Sequence, residues 1–301
     1  MIYTLTLNPA IDHIVRLEKL DMGETNRADK EGISAGGKGI NVSKILKNLG
    51  EDSLALGYIA GFTGREVQRI LNEEDHIKSD FTYIKEGFTR INTKIKASEE
   101  TEINGPGLNI GSDAMEELLC KMDKFEDGDI LFLSGSIPSS IGNDFYARIM
   151  DRLSGKKVDI AVDTTGQALE EALVYGPILI KPNVRELEEL FGTTITNYED
   201  IEAYSRQLQA RGAKNIIVSM GGDGAYFLSE KGDSIFEAAP KGEVIDTVGS
   251  GDSMVAGFIY AVKNNFSLVD AFRFSVSCGS ATAFSHDLAT REEVYEIYRN
   301  L

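Results

Sequence analysis

Short apolar runs alternate along this chain with segments of helical period, and that alternation restricts the fold more than any other feature. Residues 2–7, 54–59, 130–134, 158–162, 178–181 and 215–219 read as strands, while 41–49, 66–74, 144–153, 184–191 and 201–211 carry the spacing of amphipathic helices. Nearly continuous apolar strands joined through helices form a parallel sheet covered on both faces, because a parallel connection requires a crossover. The spacing therefore predicts an α/β sandwich. Gly50 follows the first helix in the position that favours a C-cap. After a hairpin over 225–238 the chain turns helical, at 252–262, 268–284 and 291–299.

Two excursions break the alternation. Residues 14–33 are mixed and polar, and 89–97 set Arg90, Asn92, Lys94 and Lys96 on one face of a period-two strand. Both fit a small extra sheet, a lid over the larger one. Lys94 and Lys96 read as solvated lysines and receive no role. No repeat or proline-rich linker marks a boundary, so 1–301 read as one domain with lid excursions at about 14–33 and 89–97.

Composition narrows the function classes. With 301 residues and 42% hydrophobic side chains, the chain has material for a large core and is not disordered. Its net charge of −17 argues against a nucleic-acid partner or an anionic membrane surface, since both need a basic footprint. Phosphate can still bind in a local pocket. No apolar run approaches the ~18 residues of a membrane span, and the first residues read as a strand rather than a secretory signal. Cys120 and Cys278 lie far apart and outside any metal-type cluster, as expected of buried thiols in a reducing cytoplasm. His13, His76 and His286 form no triad or zinc spacing and receive no role.

The strongest local signal is Asp246-Thr-Val-Gly-Ser-Gly-Asp252-Ser253, a glycine-rich turn running into an apolar helix. Backbone amides at such a junction, with the positive end of the helix dipole behind them, hold a phosphate or a developing anion. Asp252 reads as a helix N-cap or as a general base. A carboxylate adds nothing to a pure anion site, but a kinase needs one to take the proton of the acceptor hydroxyl. A second element, Gly36-Gly37-Lys38-Gly39-Ile40-Asn41, also opens a helix. Counted from Gly32 it nearly forms a phosphate loop, but Gly39 stands where the Ser or Thr that holds magnesium would be. It serves either as a tight turn with a solvated lysine or as a place where Lys38 meets phosphate and Asn41 meets sugar hydroxyls. No dinucleotide fingerprint is complete, which disfavours a nicotinamide-linked enzyme.

Together these elements resemble the PfkB carbohydrate kinases of the ribokinase-like superfamily. The likeness spans essentially the whole chain and includes TLNPAID at the start, GGKGINV, TRIN, TEING, SGSIP, KPN and VGSGDS. It implies a three-layer α/β/α sandwich with a mostly parallel central sheet and a small β-sheet lid. The activity it implies is ATP-dependent phosphorylation of a ketohexose phosphate. Within the family TRIN and TEINGPG point to the branch acting on D-fructose 1-phosphate, with tagatose 6-phosphate as the alternative substrate; a non-catalytic sensor on the same fold is the rival of another class. By the same resemblance Asp252 is the base, with Gly249, Ser250 and Gly251 forming the anion hole. Asp12, Gly37, Lys38, Asn41 and Ser136 match sugar-side positions, and Arg90, with Arg27 as a weaker candidate, matches the residue that meets the existing phosphate. On the nucleotide side stand Lys181, Asn183, Ser219, Gly221, Gly224, Ser277, Gly279 and Ser280, and Glu186 would organise Mg²⁺ through water. A homodimer through the lid is a further implication. The sequence departs from the family at Ser250, which stands where alanine is common, and at the Gly-Pro-Gly after Asn104.

Overall fold

A computed structural model describes residues 1–301. The central sheet has nine strands in the order Ser234–Glu237, Ala225–Leu228, Asn215–Ser219, Leu179–Ile180, Asp159–Asp163, Ile130–Ser134, Ile2–Thr6, Ser53–Ala60 and Lys78–Ile84. From Asn215–Ser219 to Lys78–Ile84 every pairing is parallel, and only the hairpin that adds the first two strands is antiparallel. Alternate side chains enter different layers. Leu131 and Leu133 pack with Leu118, Phe145, Ile149 and Leu208 on one face. Ile130 and Phe132 pack with Val42, Val255, Phe258 and Phe272 on the other. The second layer holds the long helices Ser250–Lys263 and Leu268–Ala283, which cross where a side chain on Gly279 would run into Met254 and one on Gly257 into Cys278.

The parallel strands end at one edge, where Thr6, Ser134, Asp163 and Ser219 lie, and open α/β sheets bind ligands at that edge. Over it sits a four-stranded sheet in the order Lys30–Gly36, Ala10–Arg16, Arg90–Lys96, Glu100–Asn104. Its register pairs Ala10 with Arg90, Asp12 with Asn92, Ile14 with Lys94 and Arg16 with Lys96. One face is therefore polar. The opposite face carries Ile33, Ile91 and Ile103, all exposed.

Several local expectations change. The strand Lys78–Ile84 escapes a search for apolar runs because it is a half-polar edge strand with a single partner. Helices Ser112–Met122 and Gly166–Leu173 also go unread, the first because its exposed face is acidic and its apolar stripe short. The helix expected at 66–74 is Gly61–Arg69 followed by one wide turn, Ile70–Glu74. The first small-sheet excursion begins at Ala10, and 17–29 between its strands form an irregular exposed connection. Cys120 is exposed on a helix surface rather than buried; Cys278 is buried as a free thiol. No helix is long and apolar enough to cross a membrane.

Gly57 holds the neighbouring strands together by having no side chain. Its φ is +150°, and a methyl group there would overlap the carbonyl oxygen of Thr6, its partner in the sheet. Gly57→Ala should cost about 1–3 kcal/mol, the usual range for overpacking, and lower the urea midpoint without changing the slope. An unchanged midpoint would show that the strand pair can separate locally.

Candidate active site

The glycine-rich turn resolves into a helix start. Gly249 takes a left-handed conformation, φ +80°, and precedes the helix Ser250–Lys263 with no side chain capping it. The amides of Gly249, Gly251 and Asp252 have no acceptor within the protein, whereas the Ser250 amide, expected in the same set, donates to the Thr247 carbonyl at 3.2 Å, and the buried Ser250 hydroxyl lacks a partner. Such unpaired donors at a helix N-terminus attract an anion. Asp252 lies in the first turn and is 7% exposed. Asn41, on the helix Lys38–Asn48, donates from Nδ2 to Asp252 Oδ2 at 2.8 Å. The two glycine-rich helix starts thus meet at one carboxylate.

Burial pushes the Asp252 carboxyl up to about 6, with the attraction of Lys38 pulling against it and the nearby Asp163 reinforcing it. A carboxylate so placed is a stronger proton acceptor than a solvated one and still ionises at neutral pH. Asp163, at the end of its strand and 4% exposed, accepts from Lys38 Nζ at 2.7 Å and faces Lys181 Nζ at 3.8 Å. Burial opposes its charge, yet Lys181 and Lys38 hold it below the ordinary carboxylate range. Two lysines and two aspartates therefore form one mixed cluster, with Lys181 beside Gly251.

On the small sheet, Asp12 accepts from Asn92 Nδ2 at 3.1 Å and pairs with Lys94 at 3.0 Å. A side chain at Gly36 would collide with the Asp12 carboxylate, so this glycine leaves room for the acid. The reading of Lys94 and Lys96 as solvated lysines is corrected. Lys94 is 14% exposed and bound to Asp12, and Lys96 bonds Asp246, because the polar face of the sheet turns inward over the helix starts. A cavity of about 290 Å³ lies there, lined by Asp12, Asn41, Lys94, Gly249 and His286 among others. Arg90 is half-buried; its Nε has no partner and its nearest acceptor is the Gly105 carbonyl, 3.4 Å from Nη1. Burial draws its pKa down against the pull of Asp12.

Gly37 stands just before its helix, at φ +131°. Ser136 is exposed in the turn after Ser134. Arg27 is exposed in the 17–29 connection and is not brought to the cavity within this chain. Asn183, Ser219 and Gly221 do come together, lining a second cavity of about 600 Å³ with Tyr198 and Asp223. Asn183 and Glu186 form a reciprocal capping box, the Asn183 amide donating to Glu186 Oε2 at 2.9 Å. Lys181 points to Asp163 and Gly251, not into that second cavity.

Of the remaining nucleotide-side residues, the expectation for Ser277 is corrected by its burial, while Gly224 and Gly279 have packing contacts of their own. Gly224 is a packing glycine, since any side chain would overlap the Glu237 carbonyl. Ser277 is fully buried, its hydroxyl bound to the Arg273 carbonyl of its own helix. Gly279 lies at the helix crossing against Met254. Small residues here let two helices approach, and the same smallness suggests room for a ring when only sequence is read. Ser280, one residue on, is half-buried.

Asp163 is the residue that sequence reasoning missed. The apolar run stops at 162, one position short of the end of the strand Asp159–Asp163, although a carboxylate at the C-terminal end of a parallel strand is itself a signal.

A buried carboxylate beside unpaired helix-start amides, at the edge of a parallel sheet and under a polar-faced small sheet, is the arrangement of a phosphotransferase acting on an alcohol. Residues 5–293 match the pfkB family carbohydrate kinase, and the chain belongs to that family of sugar kinases. The chain is 43% identical to the 1-phosphofructokinase of Bacillus subtilis over 297 residues, covering 99% of this chain and 97% of the relative. It is 34% identical to the tagatose-6-phosphate kinase of Staphylococcus epidermidis, covering 85% and 84%. Among solved structures, phosphofructokinase-2 from Escherichia coli in complex with fructose-6-phosphate superposes with a TM-score of 0.93 at 28% identity, covering 100% of this chain and 98% of the other. The architecture is ribokinase-like.

Proposed function

We propose that this protein transfers the γ-phosphoryl group of ATP to the 6-hydroxyl of D-fructose 1-phosphate, giving D-fructose 1,6-bisphosphate and ADP. The observation that carries the reading is the buried Asp252, bonded by Asn41 and next to amides with no internal acceptor. Asp252 takes the hydroxyl proton as the oxygen forms its bond to the γ-phosphorus. The bond from that phosphorus to the bridging oxygen breaks, and the electron pair leaves with ADP. Amides of Gly249, Gly251 and Asp252 donate to the moving phosphoryl oxygens, where preorganised donors lower the barrier most. Asp12 and Asn41 orient sugar hydroxyls, and Arg90 receives the phosphate already present. The larger cavity, with Asn183, Ser219 and Gly221, takes the nucleotide.

Magnesium fits this donor set on chemical grounds. No cluster of three or more acids, histidines or cysteines exists to cage a metal. One carboxylate suffices for an ion that keeps waters and phosphate oxygens. Glu186 would hold it with the carboxylate capacity its capping bond leaves free. Bound there, the ion supplies neutralisation of nucleotide phosphate charge. The setting we propose is the reducing cytoplasm, in keeping with the free thiol of Cys278.

A coupled ADP-release assay over a panel of sugar phosphates tests the reading. Fructose 1-phosphate should give the highest kcat/KM; a higher value for tagatose 6-phosphate would establish the alternative, and tight ATP binding without transfer to any sugar phosphate would establish a sensor. The base must be ionised, so kcat/KM should fall tenfold per pH unit below an acid limb near 6. Asn41 stabilises the charged form, hence Asn41→Ala should move that limb to higher pH. A limb that stays in place would remove Asn41 from the tuning of the base.

A homodimer through the small sheet completes the proposal. Ile33, Ile91 and Ile103 expose an apolar face there, with Phe62 and Phe88 nearby on the main body. Sedimentation at micromolar concentration should show a dimer, and a monomer alone would overturn it.

A further inference from the structure

We infer that Lys96 is a positioning residue, which through Asp246 clamps the small sheet onto the turn that carries the anion-hole amides. This rests on the proposed role of that turn. Lys96 lies at the end of the strand Arg90–Lys96, on the inward face with Arg90, Asn92 and Lys94. Its ammonium bonds Asp246 Oδ2, 150 residues away, and both side chains are about four-fifths buried. Asp246 uses its other oxygen, Oδ1, to accept from the Val248 amide at 2.9 Å. One carboxylate thus fixes the chain immediately before Gly249 and ties it to the sheet holding the sugar-side residues.

The neighbours of the pair support a geometric role. The amides of Ile245 and Asp246 both donate to the Ala283 carbonyl at the end of the helix Leu268–Ala283; beyond them the carbonyls of Thr247 and Gly249 accept from Ser250 and Ser253, and the Val248 amide is held by the Asp246 side chain. Lys96 and Asp246 together line two adjoining cavities, the 290 Å³ one containing Asp12 and Asn41, and another of about 480 Å³ with Arg16 and Glu100. The other charged and titratable groups around the pair are Lys94, which draws on Asp246, Glu100 at 3.9 Å from Lys96 Nζ, Arg16 beside Lys96 in register, His286 on both cavity walls, and Asp12, Lys44 and Asp287 on the wall of the smaller cavity. Across the active site, acceptor and anion hole come from different parts of the fold. Their relative placement must be held to fractions of an ångström for in-line transfer, and this pair spans that gap.

Two measurements test the inference, one independent of activity. In hydrogen–deuterium exchange on the intact protein, Lys96→Met should raise exchange of the Val248 and Ser250 amides, the bonded ones of the turn, at least about tenfold and leave the central strands unchanged. In steady-state assays the same variant should lower kcat about tenfold or more with KM for ATP within about twofold, and Lys96→Arg, which keeps the charge, should restore most of kcat. Unchanged exchange at Val248 and Ser250 would overturn the clamp even if activity fell. Raised exchange with kcat within twofold of wild type would overturn its positioning role. Equal loss for Met and Arg, with a lowered Tm, would make Lys96 merely structural. Should the wild-type chain transfer no phosphate at all, the functional reading fails, and the exchange experiment still decides whether the clamp exists.

Discussion

Asp252→Asn is expected to lower kcat by about 10²–10⁴-fold, the usual contribution of a general base, while ATP affinity stays near that of the wild type. The same change should raise stability at neutral pH. Burial lifts the folded-state pKa of Asp252 from 3.8 to about 6, so its favourable contribution is complete below about pH 4 and is lost as pH rises through 6. Above that, the native state keeps an ionised carboxylate in a site that resists it, at a cost of roughly 3 kcal/mol by the conversion of 1.36 kcal/mol per pKa unit. Asparagine removes the charge and still offers Asn41 an acceptor. Thermal melts of both proteins at pH 5 and pH 8 should show a Tm gain for the variant that is larger at pH 8. Near wild-type kcat would remove Asp252 from the chemistry, and a gain that shrinks with pH would contradict the burial argument.

Asp163→Ala should be the most destabilising single change at the site. Its carboxylate is the shared partner of Lys38 and Lys181, and Lys181 is itself 6% exposed. Removing one member of a buried ion cluster leaves the remaining charge uncompensated, at about 3–5 kcal/mol. Urea denaturation should show that loss, together with a fall in kcat because both lysines flank the glycine-rich turn before Asp252. Asp163→Asn, which retains an acceptor for Lys38 but not the charge, should fall between the two. A midpoint for Asp163→Ala equal to wild type would mean that Lys181 leaves the cluster freely and that the cluster is not a structural unit.

Much of this was legible from residue order because the informative features are local. Apolar runs such as 130–134 report a parallel strand directly, and the two glycine-rich helix starts announce unpaired amides whatever surrounds them. Features set by distant partners were not legible. Lys94 and Lys96 look like solvated lysines on an alternating strand, and only the inward turn of the small sheet brings Asp12 and Asp246 to them. Ser277 misleads for the converse reason, since a small residue makes room equally for a ligand or for a neighbouring helix. Asp163 shows the cost of a boundary error of one residue. Edge strand Lys78–Ile84 was hidden because an edge, wetted on one side, need not be apolar.

The pairing of charges around the cavity has a consequence for how ligands enter. Lys38 and Lys181 share Asp163, Lys94 holds Asp12, and Lys96 holds Asp246. If the substrate phosphate proposed to bind Arg90 also drew Lys94 aside, Asp12 Oδ2 would be freed for a sugar hydroxyl while Oδ1 kept its bond from Asn92. Recognition would then work as an exchange of partners in which the two ends of one substrate are read jointly. A free sugar and free inorganic phosphate, offered together, would gain less from that exchange than the single molecule that joins them.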